Sequence, residues 1–143
     1  MFLLGIEAMS FIYERIIRVQ DTDATGVLYF ANQLQISLEA FEEFMRMSGF
    51  SLTQMVEQRN FLLPIVHSEA DYFLPITIGE RVEVALNFTR IGTTSFTYST
   101  ELKREGELIG TASIVHVVYC PKRKQSQPIP EKLKSIIYKG EEK

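Results

Sequence analysis

Between Leu28 and Ser48 apolar side chains recur at helical spacing around most of the circumference. Leu34, Leu38, Phe41 and Met45 follow at offsets of four, three and four, and Ile36, Ala40, Phe44 and Met47 widen the stripe. A helix this apolar has to be covered on most sides, and the residues after it supply the cover. Arg81 to Ile91 alternates Val82, Val84, Leu86 and Phe88 with Glu83, Ala85, Asn87 and Thr89, and Thr94 to Arg104 sets Phe96, Tyr98, Thr100 and Leu102 on one face. Glu105-Gly106 is a hairpin turn, and Glu107 to Cys120 returns as a long strand, apolar on both sides and so expected near the middle of a sheet.

The remaining elements complete this plan. Phe11 to Gln20 reads as a first strand and Ile65 to Leu74 as another, bracketed by Pro64 and Pro75, with Ile76 to Glu80 as a turn. Gly49 caps the long helix, Ser51-Leu52-Thr53-Gln54 resembles a capping box opening a short helix that ends near Asn60, and Glu131 to about Tyr138 forms a short amphipathic helix. With 143 residues there is one domain, expected over 11–138 between an extension at 1–10 and a charged tail at 139–143. Met9 is an alternative start. The fold class is α+β, an antiparallel sheet wrapped around a central helix.

Composition removes several functions. The net charge of −3 and the lack of a basic stripe argue against nucleic acid and anionic membranes, and no run approaches the roughly 18 apolar residues of a membrane span. One cysteine and two histidines support neither a disulfide scaffold nor a zinc site, so no metal is expected and the setting is a reducing cytoplasm. Cys120 stands four strand residues from His116, roughly 13 Å at about 3.3 Å per residue, too far for a nucleophile and base pair. His116, among valines, reads as structural.

Chemistry concentrates in Asp21-Thr22-Asp23-Ala24-Thr25-Gly26-Val27-Leu28-Tyr29-Phe30-Ala31-Asn32-Gln33. Two carboxylates and a glycine turn stand before a helix start, whose free N–H groups favour negative charge. An ionised acid beside such donors suits hydrolysis of an acyl derivative, the donors meeting the developing oxyanion. The aspartates also suit plain turn and cap roles, and Tyr29 and Asn32 suit packing and polar helix-start roles. Gly26 serves either reading, permitting a tight turn and close substrate approach.

The order of elements, with Asp21 to Phe30 at the first turn, resembles the hotdog fold of the 4-hydroxybenzoyl-CoA thioesterase family over Phe11 to about Ile137. Within it, Leu63-Pro64-Ile65-Val66-His67 followed by Asp71-Tyr72-Phe73-Leu74-Pro75 is similar to the branch that hydrolyses 1,4-dihydroxy-2-naphthoyl-CoA in menaquinone and phylloquinone biosynthesis. Phe30, where many relatives carry histidine, also fits that branch. The resemblance implies that Asp23 is the catalytic carboxylate, as nucleophile or general base, that the Phe30 N–H polarises the thioester carbonyl, and that Asp21 supports. It implies substrate contacts from Tyr29 and His67, and contacts to coenzyme A phosphates from Lys122, Arg123 and Lys124, which otherwise read as a solvated loop. No resident cofactor is implied, since coenzyme A belongs to the substrate and leaves as product. The implied assembly is a homodimer or homotetramer with sites between subunits. A broader benzoyl, short-chain acyl-CoA or acyl-carrier-protein thioesterase is the nearest alternative, and a non-catalytic acyl-CoA-binding module the alternative of another class.

Overall fold

The computed structural model describes residues 10–142. Apart from Ser10, the expected extension and the Met9 alternative start lie outside the described residues. Strands β1 (Phe11–Ile16), β2 (Ile65–Tyr72), β3 (Arg81–Ile91), β4 (Ser95–Arg104) and β5 (Glu107–Val117) form one antiparallel sheet in the order β1-β3-β4-β5-β2. Helix α1 (Phe30–Met47) packs against one face, α2 (Leu52–Gln58) follows it, and α3 (Glu131–Glu142) closes the chain. A small ribbon of β6 (Tyr119–Cys120) and β7 (Gln125–Ser126) lies beside the main sheet. No described helix is long and apolar enough to cross a membrane.

The alternation in β3 and β4 meets α1 as its periodicity requires. Val82, Val84, Leu86 and Phe88 are buried with Phe96, Tyr98, Thr100 and Leu102 beneath Ile36, Ala40, Phe41, Phe44 and Met45. Glu105 and Gly106 both take positive φ, the conformation a two-residue hairpin turn needs. Gly49, at φ 84°, follows the last turn of α1, and Ser51 Oγ accepts the Gln54 N–H to start α2.

Four element ends depart from the sequence expectations. β1 stops at Ile16, because the Asp21 carboxylate accepts the Arg18 N–H at 2.8 Å and pulls Val19–Asp21 into a 3-10 turn. β2 ends at Tyr72; the Phe73 and Leu74 N–H groups both turn to the Ile109 carbonyl. The expected strand Glu107 to Cys120 breaks after Val117, since Val118 donates to Thr94 and Tyr119 pairs with Leu62, outside the ladder of β5. The last helix runs on through Glu142, past its expected end near Tyr138, so residues 139–142 of the charged tail are helical.

His116 is 3% exposed, with Nδ1 donating to the Leu63 carbonyl at 2.9 Å and Nε2 accepting from the Tyr98 hydroxyl at 3.0 Å. Its ring stacks on Phe41 at 4.8 Å. Burial holds the imidazole below its ordinary pKa of 6.5, against the pull of the Leu63 carbonyl. The unfolded chain therefore takes up a proton below about 6.5 that the folded chain refuses. The stability contributed by neutral His116 is complete above that pH and is lost as pH falls through the folded-state value. His116→Gln keeps one donor and one acceptor without titrating, and urea midpoints measured from pH 7.5 to 5 should fall less steeply for it than for the native chain.

Candidate active site

The Asp21–Tyr29 segment is a miniature hairpin. Tyr29 N–H donates to the Asp21 carbonyl at 2.9 Å, Thr22 bridges Leu28, and Asp23 N–H donates to the Val27 carbonyl at 2.9 Å. Gly26, at φ 82°, closes its tip with an N–H bond to the Asp23 carbonyl. The hairpin is tied to the rest of the chain by Leu28 N–H to the Ile76 carbonyl and Ile78 N–H to the Gly26 carbonyl.

Asp21 and Asp23 divide the work. Asp21 is 5% exposed, its carboxylate gripped by the Arg15 guanidinium at 2.7 Å and the Arg18 N–H, so it anchors the hairpin and faces no open space. Arg15 also reaches Glu39 of α1 at 3.4 Å, while the Asp21 carbonyl additionally takes the Asn32 amide at 2.9 Å. This network ties β1, the hairpin and the first turn of α1 together. Asn32 is thereby assigned to the scaffold. Asp23 is exposed at the tip, with Oδ1 accepting the Thr25 hydroxyl at 2.6 Å and the Thr25 N–H at 2.8 Å. The Thr25 hydroxyl and then its N–H hold the Asp23 carboxyl below its ordinary 3.8, so it is ionised at neutral pH.

Phe30 is the first residue of α1, and its N–H has no acceptor one turn back, as at every helix start. Tyr29 precedes it as cap residue with no side-chain bond to the helix. The Tyr29 and Phe30 rings lie 4.8 Å apart, the Tyr72 ring meets Phe30 edge-on at 6.3 Å, and the Tyr72 hydroxyl donates to the Phe30 carbonyl at 3.0 Å. Behind them a cavity of about 280 Å³ opens between the start of α1, the end of β2 and the start of β5, lined by Val27, Leu28, Phe30, Gln33, Tyr72–Ile76 and Ile109. It is mostly apolar, as an aromatic guest requires.

The remaining candidates lie elsewhere. His67 pairs with Val115 on the side of β2 turned away from α1, exposed and 2.9 Å from Glu69, and lines no part of the cavity. Lys122, Arg123 and Lys124 form the exposed turn joining β6 to β7, beyond the far end of β5. From Gly110, beside the cavity, to Val117 is already roughly 23 Å along the strand at about 3.3 Å per residue. Among the described residues no three His, Cys, Asp or Glu side chains converge as a metal site would need.

Gln33 escaped the sequence reading. It is 2% exposed, and its Nε2 donates to the carbonyls of Asp71 in β2 and Thr111 in β5, both at 2.9 Å. Any side chain at Gly110 would place its Cβ 2.7 Å from the Gln33 amide, so glycine there lets the amide lie against β5. One turn on, Ser37 bonds Thr100 at 2.7 Å. The legible signal was two polar residues four apart on the most apolar stripe of α1.

A hotdog sheet and helix, with an ionised aspartate on the hairpin that leads into an open helix start, fit an acyl-thioester hydrolase architecture. The profile of the thioesterase-like superfamily matches residues 17–137, and the chain belongs to that family. It is 37% identical over 126 residues to a 1,4-dihydroxy-2-naphthoyl-CoA hydrolase of Synechococcus elongatus, covering 87% of this chain and 93% of the relative. It is 38% identical over 124 residues to the enzyme of that name from Rippkaea orientalis, covering 85% and 90%. Among solved structures, a 1,4-dihydroxy-2-naphthoyl-CoA thioesterase from Synechocystis superposes with a TM-score of 0.86 at 30% identity, covering 90% of this chain and 96% of that one.

Proposed function

We propose that the protein hydrolyses an aromatic acyl-CoA thioester, 1,4-dihydroxy-2-naphthoyl-CoA, in the cytoplasmic synthesis of menaquinone or phylloquinone. The observation that carries this reading is the ionised Asp23 carboxylate exposed at the tip of the hairpin that leads into α1, whose first residue, Phe30, has a free N–H and lines the mostly apolar cavity. The Phe30 N–H polarises the thioester carbonyl, and Asp23 attacks it or activates water against it. An oxyanion donor of this kind contributes roughly 10²- to 10³-fold, so both groups are needed. Coenzyme A leaves as the thiol and no resident metal or prosthetic group takes part. The names of the aligned relatives support the acyl group. Hydrolysis of naphthoyl-, benzoyl- and aliphatic CoA thioesters, compared at equal enzyme concentration, tests the reading; absence of turnover with all three would sink it.

The working unit in this reading is at least a dimer. β2 is an edge strand, and Ile65, Val66 and Tyr72 along it, with Phe73 and Leu74 just beyond it, are exposed. Such an edge pairs readily with a second copy of itself. A two-fold antiparallel pairing sets the Tyr72 end of one strand beside the Ile65 end of the other. His116 of β5 lies next to Ile65, and the chain from it runs on to Lys122–Lys124. Pairing therefore carries one protomer's cations toward the other's cavity, where the phosphates of a bound CoA ester need them. The triple substitution K122A/R123A/K124A should raise KM for the CoA ester roughly ten-fold at low salt and less at high salt. Refolding it together with Asp23→Asn should restore activity, because one site in each mixed dimer carries neither defect; no restoration would argue against a shared site.

A further inference from the structure

We propose that the amide oxygen of Gln33 is a specificity-determining acceptor that recognises a hydroxyl group on the acyl moiety. The inference rests on the reading of the site as an acyl-CoA pocket and deepens it, naming what the pocket requires of its guest.

The orientation of the amide is set by its surroundings. Both neighbours within hydrogen-bond reach at 2.9 Å are backbone carbonyls, of Asp71 and Thr111, so both must receive N–H, and Nε2 has two to give. Oε1 is left over. It accepts no bond from any described residue, yet it is not sealed away, for among the described residues only Arg15 Nη1 is a side-chain polar atom both shut from solvent and without a partner. Gln33 is 2% exposed, and the space it lines is the cavity behind Phe30. The proposal assigns the access that Oε1 keeps to that cavity, the space Gln33 lines.

The rest of that space is mostly apolar, with Leu28, Phe30, Phe73 and Ile109 among its walls. An open cavity of this size admits water to such an acceptor. An acyl group that displaces this water must bring its own donor, or leave an acceptor stranded in apolar surroundings. Another acceptor cannot replace a donor, because the two carbonyls prevent the amide from turning over. An aliphatic chain or unsubstituted aromatic ring has no donor to offer, whereas a phenolic hydroxyl does. Sites built around a buried polar group reject analogues that leave it unpaired more strongly than apolar pockets reject a change of size. Gln33 also fixes the start of α1 to β2 and β5, so recognition and the placement of the Phe30 N–H share one side chain.

The test compares 4-hydroxy-2-naphthoyl-CoA with 2-naphthoyl-CoA. In the native protein kcat/KM should favour the hydroxylated ester roughly ten- to hundred-fold, the span expected of one buried hydrogen bond. Gln33→Leu should bring the ratio down towards one. A purely structural role for Gln33 would lower both rates together and leave the ratio where it was, and that result would overturn the proposal. Calorimetric binding of both esters to Asp23→Asn separates this inference from the hydrolysis it rests on. Selective binding with no turnover by the native protein would uphold the Gln33 contact and sink the hydrolase reading; turnover with equal binding would do the reverse. If Gln33→Leu does not fold, the binding preference of Asp23→Asn decides alone, equal affinity overturning the proposal.

Discussion

Asp23→Asn should lower kcat/KM for the aryl-CoA thioester by about 10³-fold, within the roughly 10²- to 10⁴-fold associated with a positioned catalytic acid or base, while leaving stability nearly unchanged. The expectation is sharp because asparagine is nearly isosteric and its oxygen still accepts the Thr25 hydroxyl and N–H. The turn survives and only the charge and its lone-pair reactivity go. Since the Thr25 donors hold the native carboxyl below its ordinary 3.8, the acid limb of kcat/KM should lie below pH 4, and this group should produce no decline between pH 5 and 8. A variant with full activity would remove Asp23 from the chemistry. A single turnover in ¹⁸O-labelled water tests the nucleophilic role: label in the Asp23 side chain marks a mixed anhydride opened at the aspartyl carbonyl, whereas label in the product acid alone marks delivery of water to the acyl carbon.

Arg15→Ala should cost about 3 kcal/mol, a large share of the 5–15 kcal/mol typical of such a domain, read as a lowered urea midpoint and a fall in Tm of roughly 10 °C. The Arg15 and Asp21 side chains are only 13% and 7% exposed, so removing the cation strands a carboxylate with only the Arg18 N–H for company. The loss falls on the hairpin as well as on global stability. Tyr29 N–H and the Asn32 amide both hang on the Asp21 carbonyl, and Phe30 follows directly. kcat should therefore drop even at temperatures where the variant is fully folded. Asp21→Asn, which retains an acceptor for Arg18, should cost less than Arg15→Ala. Equal stability of native and Arg15→Ala proteins would show that the pair contributes nothing net.

Much of this was open to reading from the chain. The α1 stripe and the alternation in β3 and β4 are local periodicities, and burial of one face enforces them wherever the chain is covered. The Glu105-Gly106 turn and the Ser51 cap are likewise set by a few adjacent residues. The ends were less legible. β1 stops where a carboxylate five residues later takes the Arg18 N–H, and β5 breaks where Val118 finds Thr94 and Tyr119 finds Leu62, partners that periodicity does not reveal. The family signature singled out Asp23, Gly26 and Phe30 as the expected site, but only tertiary structure separates the surroundings of the two aspartates: one is buried against a guanidinium and the other stands exposed on a threonine.

The sequence by itself determined the architecture and the segment proposed to carry the chemistry, since helix and strand periods and a ten-residue turn are properties of neighbours along the chain. Tertiary structure alone decided what surrounds that segment. It set His67 on the face of β2 away from the cavity, put Lys122–Lys124 beyond the far end of β5, and brought Gln33 against Gly110, Asp71 and Thr111. Those relations join residues up to 78 positions apart, and sheet register and the docking of α1 create them.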